Sequence, residues 1–185
     1  YEQDQTGRVD PANTISQSDE AISPKIVATY SINETMNLFG GFNSGYKSPA
    51  RTPGLAYSAD LDPEKVYSYE AGLRGMALPW LSYNVTGFVN QYLDKWMKSG
   101  PAATDPDINA GETETIGLEL AFGAEFGNGF FADVNCTHQE SEYKKYANAG
   151  VSYDGNKIPN VPEQMLGGTI GYRHPVWGQF TFNAD

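Results

Sequence analysis

Thr115-Ile116-Gly117-Leu118-Glu119-Leu120-Ala121-Phe122-Gly123-Ala124-Glu125-Phe126 is the stretch that decides the fold. Side chains alternate across an extended ribbon, so Ile116, Leu118, Leu120, Phe122, Ala124 and Phe126 share one face. Gly117, Glu119, Ala121, Gly123 and Glu125 share the other. The first face suits hydrocarbon, and the second suits water or a polar packed interior. The apolar side is also about as long as the roughly ten residues a tilted strand needs to cross a bilayer.

The alternation recurs along the chain. Lys25 to Asn33, Met36 to Tyr46, Glu64 to Gly75, Trp80 to Met97, Phe130 to Gln139, Val161 to Arg173 and Gly178 to Asn183 all read as strands. Tyr69, Ala71 and Leu73 oppose Glu70, Gly72 and Arg74; Tyr83, Val85 and Val89 oppose Asn84, Thr86 and Asn90. Period-2 counting gives about eight strands. Short turns near 33–35, 77–79, 127–129 and 174–177 alternate with long polar segments at 47–63, 98–113 and 143–160. Short turns at one end and long loops at the other are the plan of a transmembrane antiparallel up-and-down β-barrel. Phe126 and Phe130, Tyr172 and Trp177, and Met76 and Trp80 flank the short turns, as an interfacial girdle or as hairpin-end packing.

Composition agrees. The 185 residues are 39% hydrophobic, and mean hydropathy is -0.49. No run approaches the roughly 18 apolar residues of a spanning helix, whereas a barrel averages its two faces and escapes such a scan. A net charge of -11 argues against a basic nucleic-acid surface. Asp60, Asp62, Glu64, Asp105, Asp107, Glu112, Glu114, Glu140 and Glu142 read as a solvated rim of loops. Cys136 has no cysteine to pair with and reads as a small lipid-facing hydrophobe. Tyr1 to Ser23 lacks the apolar core of a secretory leader, and Gln179 to Asp185 stops without a closing aromatic. The chain is therefore expected to be a piece of a longer protein.

Several motifs carry a family resemblance. Leu61-Asp62-Pro63-Glu64 followed by Tyr69-Glu70-Ala71-Gly72-Leu73-Arg74-Gly75 resembles a segment of TonB-dependent outer-membrane receptors. Ser23-Pro24-Lys25 and Gly45-Tyr46-Lys47-Ser48-Pro49 are similar to elements that precede it. Asn109-Ala110-Gly111 with Gly117-Leu118-Glu119, and then Asn160-Val161-Pro162, are similar to elements that follow. The five elements keep the family's order over residues 23 to 175. The resemblance implies a barrel of roughly the 22-stranded type, with a plug domain filling its lumen. Residues 1–185 would be a partial barrel domain, with the plug outside this chain. The implied function is TonB-dependent active uptake of a ferric siderophore or similar scarce ligand across the bacterial outer membrane. Its partners would be outer-membrane lipid, a small-molecule iron chelate, the plug and TonB, with no nucleic acid. No cofactor is expected, the iron(III) travelling with the ligand.

Ligand contacts are expected on the loops and upper lumen. Tyr46, Arg51, Tyr57, Trp96, Lys98, Tyr143, Lys144, Tyr146 and Tyr153 combine aromatic surface with positive charge or hydroxyls, which suits aromatic and anionic chelates. Glu70, Arg74, Glu119 and Glu125 are expected to face the lumen as a polar network against the plug. Paired carboxylates also suggest catalysis, but a polar lumen displays carboxylates anyway, and no nucleophile elbow, phosphate loop or metalloprotease motif is present. The expectation is a protein that is not an enzyme and holds no metal, with His138 and His174 lying apart. Three Asn-x-Thr triplets, at Asn33, Asn84 and Asn135, match glycosylation acceptors but fit a turn and two polar strand faces better. A self-contained eight-stranded outer-membrane barrel with a structural or adhesive role, and a soluble carbohydrate-binding β-sandwich, are the alternatives.

Overall fold

A computed structural model describes residues 2–4, 18–48, 61–98, 107–109, 111–148 and 150–184. Eight long strands form one sheet: β1 (Lys25–Asn33), β2 (Met36–Lys47), β3 (Glu64–Leu78), β4 (Leu81–Leu93), β5 (Glu112–Glu125), β6 (Phe130–Lys145), β7 (Gln164–His174) and β8 (Gly178–Ala184). Each pairs antiparallel with the next in chain order. Three short pairs accompany it: Glu2–Asp4 with Ser18–Glu20, Trp96–Lys98 with Asp107–Asn109, and Ala147–Asn148 with Val151–Ser152.

The register lines up the alternation of every strand. Tyr30, Leu38, Leu73, Val85, Leu120, Cys136 and Leu166 stand directly opposite one another across seven strands. Cys136 therefore lies within the apolar face. Leu118, Phe122 and Leu166 are 43%, 45% and 69% exposed, and no side chain among the described residues is fully enclosed. A sandwich would bury this face under a second sheet. Here the described residues form a single layer, and the solvent that the apolar face needs is lipid. From Ile116 to Phe126 it runs about 34 Å along β5, or about 26 Å of height at a tilt of about 40°, close to the band of a barrel.

At the short-turn end Trp80 stacks on Phe126 with ring centres 5.8 Å apart, and Phe130 meets Tyr172 at 4.7 Å. These rings pack across hairpin ends while remaining 44–49% exposed where the exposure is given for Trp80, Phe126 and Phe130. The first Asn-x-Thr triplet makes a turn, with the Asn33 side-chain oxygen accepting from the Thr35 backbone N–H at 2.9 Å.

The two faces also differ in how glycine is used. On the polar face, Phe39, Phe88 and Phe131 each lie across a glycine of the neighbouring strand: Gly72, Gly117 and Gly171. On the apolar face Gly40, Gly87 and Gly168 meet only backbone, at 3.5–3.9 Å from where a Cβ would stand. Side chains thus crowd together on the polar side, as they must on the inner side of a wall. Gly117→Leu is expected to lift Phe88 and cost about 1–3 kcal/mol, the usual cost of overpacking. Gly87→Leu, entering open space on the lipid side, should change stability far less. Urea unfolding of the lipid-embedded protein separates the two.

Several strand boundaries differ from the expected ones: the Thr115 strand already starts at Glu112, and the Glu64 strand runs on to Leu78. The Trp80-to-Met97 strand ends at Leu93, because Asp94 turns left-handed at φ 55° and Trp96–Lys98 pairs elsewhere. The Phe130 strand runs on to Lys145, well past Gln139. The Val161 strand starts only at Gln164, after Pro162, which has no N–H for a ladder. Glu112, Glu114, Glu140 and Glu142, expected in loops, consequently lie on strands; Glu64 opens its strand, and Asp107 lies in the short Asp107–Asn109 strand. Above the hydrocarbon nothing forces an apolar face, so the wall continues with charged residues. Asp60 and Asp105 lie outside the described residues.

Candidate ligand-binding rim and lumen wall

At the loop end, one side chain ties two connections together. The Asn109 carboxamide oxygen accepts from the Asp62 N–H at 2.9 Å, and its nitrogen donates to the Asp62 carbonyl at 3.0 Å and the Asp94 carbonyl at 2.8 Å. The Trp96 indole N–H donates to the same Asp62 carbonyl at 2.8 Å. Lys47 lies 4.4 Å over the Trp96 ring and 3.7 Å from the Glu64 carboxylate. Gly111 closes the knot with φ 93°, its Cα turned so that a Cβ would run into the Lys145 carbonyl. Two of the motifs read separately in the sequence, Leu61-Asp62-Pro63-Glu64 and Asn109-Ala110-Gly111, are thus halves of one joint.

Beyond Lys145 the wall rises as a hairpin. The Tyr146 N–H donates to the Asp154 carboxylate at 2.7 Å, the Tyr153 N–H to the Tyr146 carbonyl at 2.8 Å, and the Tyr143 N–H to the Asn156 carbonyl at 2.9 Å. Gly150, at φ 80°, sits at the tip. The Tyr143, Tyr146 and Tyr153 rings stack in sequence at 4.9 and 5.3 Å, and Met97 and Ile158 pack against the first two. Tyr143 and Tyr146 are 5% and 8% exposed, against 36% for Tyr153. Burial pushes the Tyr143 phenol pKa up. The first two rings therefore hold the hairpin, and the third is open to contact.

Lys144 takes the opposite side of the wall. It pairs with Glu114 at 2.9 Å and with Glu142, while Glu114 also accepts from the Gln91 amide at 3.0 Å. The Gln91 bond and the ammonium hold Glu114 below the ordinary carboxylate pKa. A carboxylate depressed in the folded state stabilises above its unfolded pKa and ceases to do so as pH falls through the folded one. E114Q should therefore loosen the rim at neutral pH, and its hydrogen exchange should converge with wild type in acid. Exchange differing equally at all pH values would refute this.

The remaining expected contacts separate. Tyr46 stands opposite Lys65 on the parity of Phe42, the outward one. Lys98 lies in the Trp96–Lys98 strand. Arg51 and Tyr57 lie outside the described residues. The register puts Glu70, Arg74, Glu119 and Glu125 together on the polar face. Glu70 leans over Gly41, and Arg74 lies 5.3 Å over the Phe39 ring. Glu125 pairs with Arg173 at 2.8 Å, and Arg173 lies 4.3 Å over Phe131. The sequence reading passed over Arg173, Met97 and Ile158. In the sequence Asn109 stands only as a motif letter, and Asp62 as a motif letter and a charge of the solvated rim. The signal for them was present in two motifs whose Asn and Asp are natural partners for backbone groups.

A two-faced wall with charges inside, hydrocarbon-facing apolar rows and an ordered rim is matched along residues 1–185 by the model of the TonB dependent receptor-like β-barrel family. The chain belongs to that family. Barrels of TonB-dependent receptors lie in the outer membrane of Gram-negative bacteria, so lipid is the solvent of the apolar face. No curated protein sequence matches the chain significantly. Solved structures similar to it include the ferric yersiniabactin uptake receptor FyuA from Yersinia pestis, at 21% identity and a TM-score of 0.68, covering 92% of this chain and 26% of that one. The FrpB iron transporter from Neisseria meningitidis (F3-3 variant) is similar at 15% identity and a TM-score of 0.64, covering 92% and 27%. The alcaligin outer membrane receptor FauA from Bordetella pertussis is similar at 18% identity and a TM-score of 0.62, covering 91% and 30%. At these identities the likeness is one of fold. The chain spans between about a quarter and a third of these receptors. In that fold a TonB-dependent receptor barrel closes with more strands than these eight, and β1 and β8 do not pair with each other here.

Proposed function

We propose that the receptor to which this wall belongs takes up a ferric siderophore or a similar scarce metal chelate, driven through TonB. Binding outside and displacement of a plug domain move the ligand, without catalysis and without a resident cofactor. The observation that carries the reading is the register, which puts aligned apolar rows on one side and Glu70, Arg74 and Glu119 on the other. No ion pair within the described residues engages Glu70, Arg74 or Glu119. Such charges suit a partner inside the lumen, and the plug is that partner. Similar structures described as a ferric yersiniabactin uptake receptor and an iron transporter support an iron chelate as ligand. One described as a copper transporter favours keeping the class at metal chelates.

At the rim Tyr153 is the leading proposed ligand contact, because Tyr143 and Tyr146 are spent on packing and Trp96 on the joint; Lys98, Arg51 and Tyr57 are proposed with it from their chemistry alone. The test is growth. The full-length receptor, placed in an iron-starved Gram-negative host without its own receptors, should restore growth on a ferric chelate and lose it when TonB is removed. Growth on no hydroxamate, catecholate or mixed ferric chelate, or growth independent of TonB, would overturn the proposal. Tyr153→Ala should raise the half-saturating concentration roughly 5- to 30-fold if one stacking contact of about 1–2 kcal/mol is lost.

A further inference from the structure

Along the polar face of β5, small residues alternate with paired polar walls. Gly123 lies between Ser82 of β4 and Asp133 of β6, Ala121 between Asn84 and Asn135, and Glu119 between Thr86 and Thr137. The two strand-borne Asn-x-Thr triplets thus stand on either side of one floor. Two contiguous open hollows lie here, about 490 and 670 Å³, sharing Asn84, Ala121 and Asn135. Ser82 donates to the Gly123 carbonyl at 3.1 Å, and the Thr86 hydroxyl to the Asn84 side-chain oxygen at 3.3 Å. No hydrogen bond within the described residues engages the Asn84 amide nitrogen, the Asn135 carboxamide or the Asp133 carboxylate.

The dimensions fit an extended polypeptide. The walls are two strand spacings apart, about 9.6 Å, and successive rows are two residues apart, about 6.8 Å. An extended backbone lying over β5 sends N–H and C=O groups sideways with that same repeat of about 6.8 Å. It needs donors and acceptors alternately, and carboxamides with hydroxyls supply both. The small Ala121 floor lets a backbone approach closely, with the Ser82 hydroxyl and Asp133 carboxylate leaning over Gly123 at one end and the Asn135 carboxamide lying back over Gly167 of β7. The open carboxylate of Asp133 adds a preference for positive charge.

We propose that a basic, extended segment of about six residues, from the domain that fills the lumen, lies along β5 in this trough. Its backbone bonds to Asn84 and Asn135, and a lysine or arginine reaches Asp133. The inference rests on the lumen-filling plug of the uptake reading, and the experiment separates the two. In full-length receptor in its membrane, Thr169→p-benzoylphenylalanine is placed at the trough's edge and Ile170→p-benzoylphenylalanine on the lipid side. Illumination should join position 169 to one peptide N-terminal to the barrel in the same polypeptide, and position 170 to lipid. Adding Ala121→Trp to fill the floor should lower the first yield at least fivefold and leave the second unchanged. Lipid capture at 170 with no peptide, or a peptide of another protein, at 169 overturns the trough and leaves uptake standing. No lipid capture at 170 overturns both.

Discussion

Leu120→Arg should remove about 2–4 kcal/mol from the stability of the receptor in lipid, the cost of an arginine on the lipid face near mid-depth of a barrel. Leu120 stands in the middle row of the apolar face, between Val85 and Cys136, with two apolar rows toward Ile116 and three toward Phe126. Its neighbours within the row are apolar, and from the centre of the band the guanidinium can meet water only by thinning the membrane or bending away. Thr29→Arg is the control, since Thr29 lies opposite Phe39 on the polar face, where a cation meets water or polar protein. Urea unfolding in lipid vesicles should show a large fall in midpoint for the first and little for the second. Equal losses would mean that the two faces are not distinguished by their solvent.

Gly111→Ala should have the second large effect, confined to the rim. At φ 93° an L residue is held in a region that costs about 1–3 kcal/mol. In addition the new methyl group would meet the Lys145 carbonyl, which is backbone and cannot swing aside. The joint made by Asn109, Asp62, Asp94 and Trp96 must open, and with it the bases of two connections. Limited proteolysis should cut the 94–111 connection many times faster, while unfolding of the membrane band is unchanged. Asn109→Ala should do the same more mildly, because the Asp62 and Asp94 carbonyls it releases can bond water instead. If Gly111→Ala cuts no faster than wild type, Gly111 is not what closes the joint.

How far the sequence could be read follows from which residues speak locally. Alternation in Thr115 to Phe126 is a property of neighbours in the chain, and it carried the strands, the two faces and the position of Cys136. The upper reach of β6 was hidden for a physical reason. From Gln139 to Lys145 the strand has left the hydrocarbon, so no apolar face marks it, and only the pairing with Thr113 and Thr115 reveals it. Polar Tyr143 and Tyr146 looked like ligand contacts because a tyrosine reads the same whether it faces solvent or packs a hairpin. Their burial depends on Met97 and Ile158, which come from two other segments. Asn109 is the plainest case, since its partners Asp62 and Asp94 lie 47 and 15 residues away.

The phenylalanines that recline across Gly72, Gly117 and Gly171 keep the polar side of the wall low. A ring standing upright on the inner wall would narrow the bore; laid flat on a neighbour that has no side chain, it becomes thin plating. With Arg74 and Arg173 spread over two of these rings, long charged side chains also lie along the wall there and do not stand out from it. Headroom over the inner side of this wall is thus written in its glycines as much as in its rings.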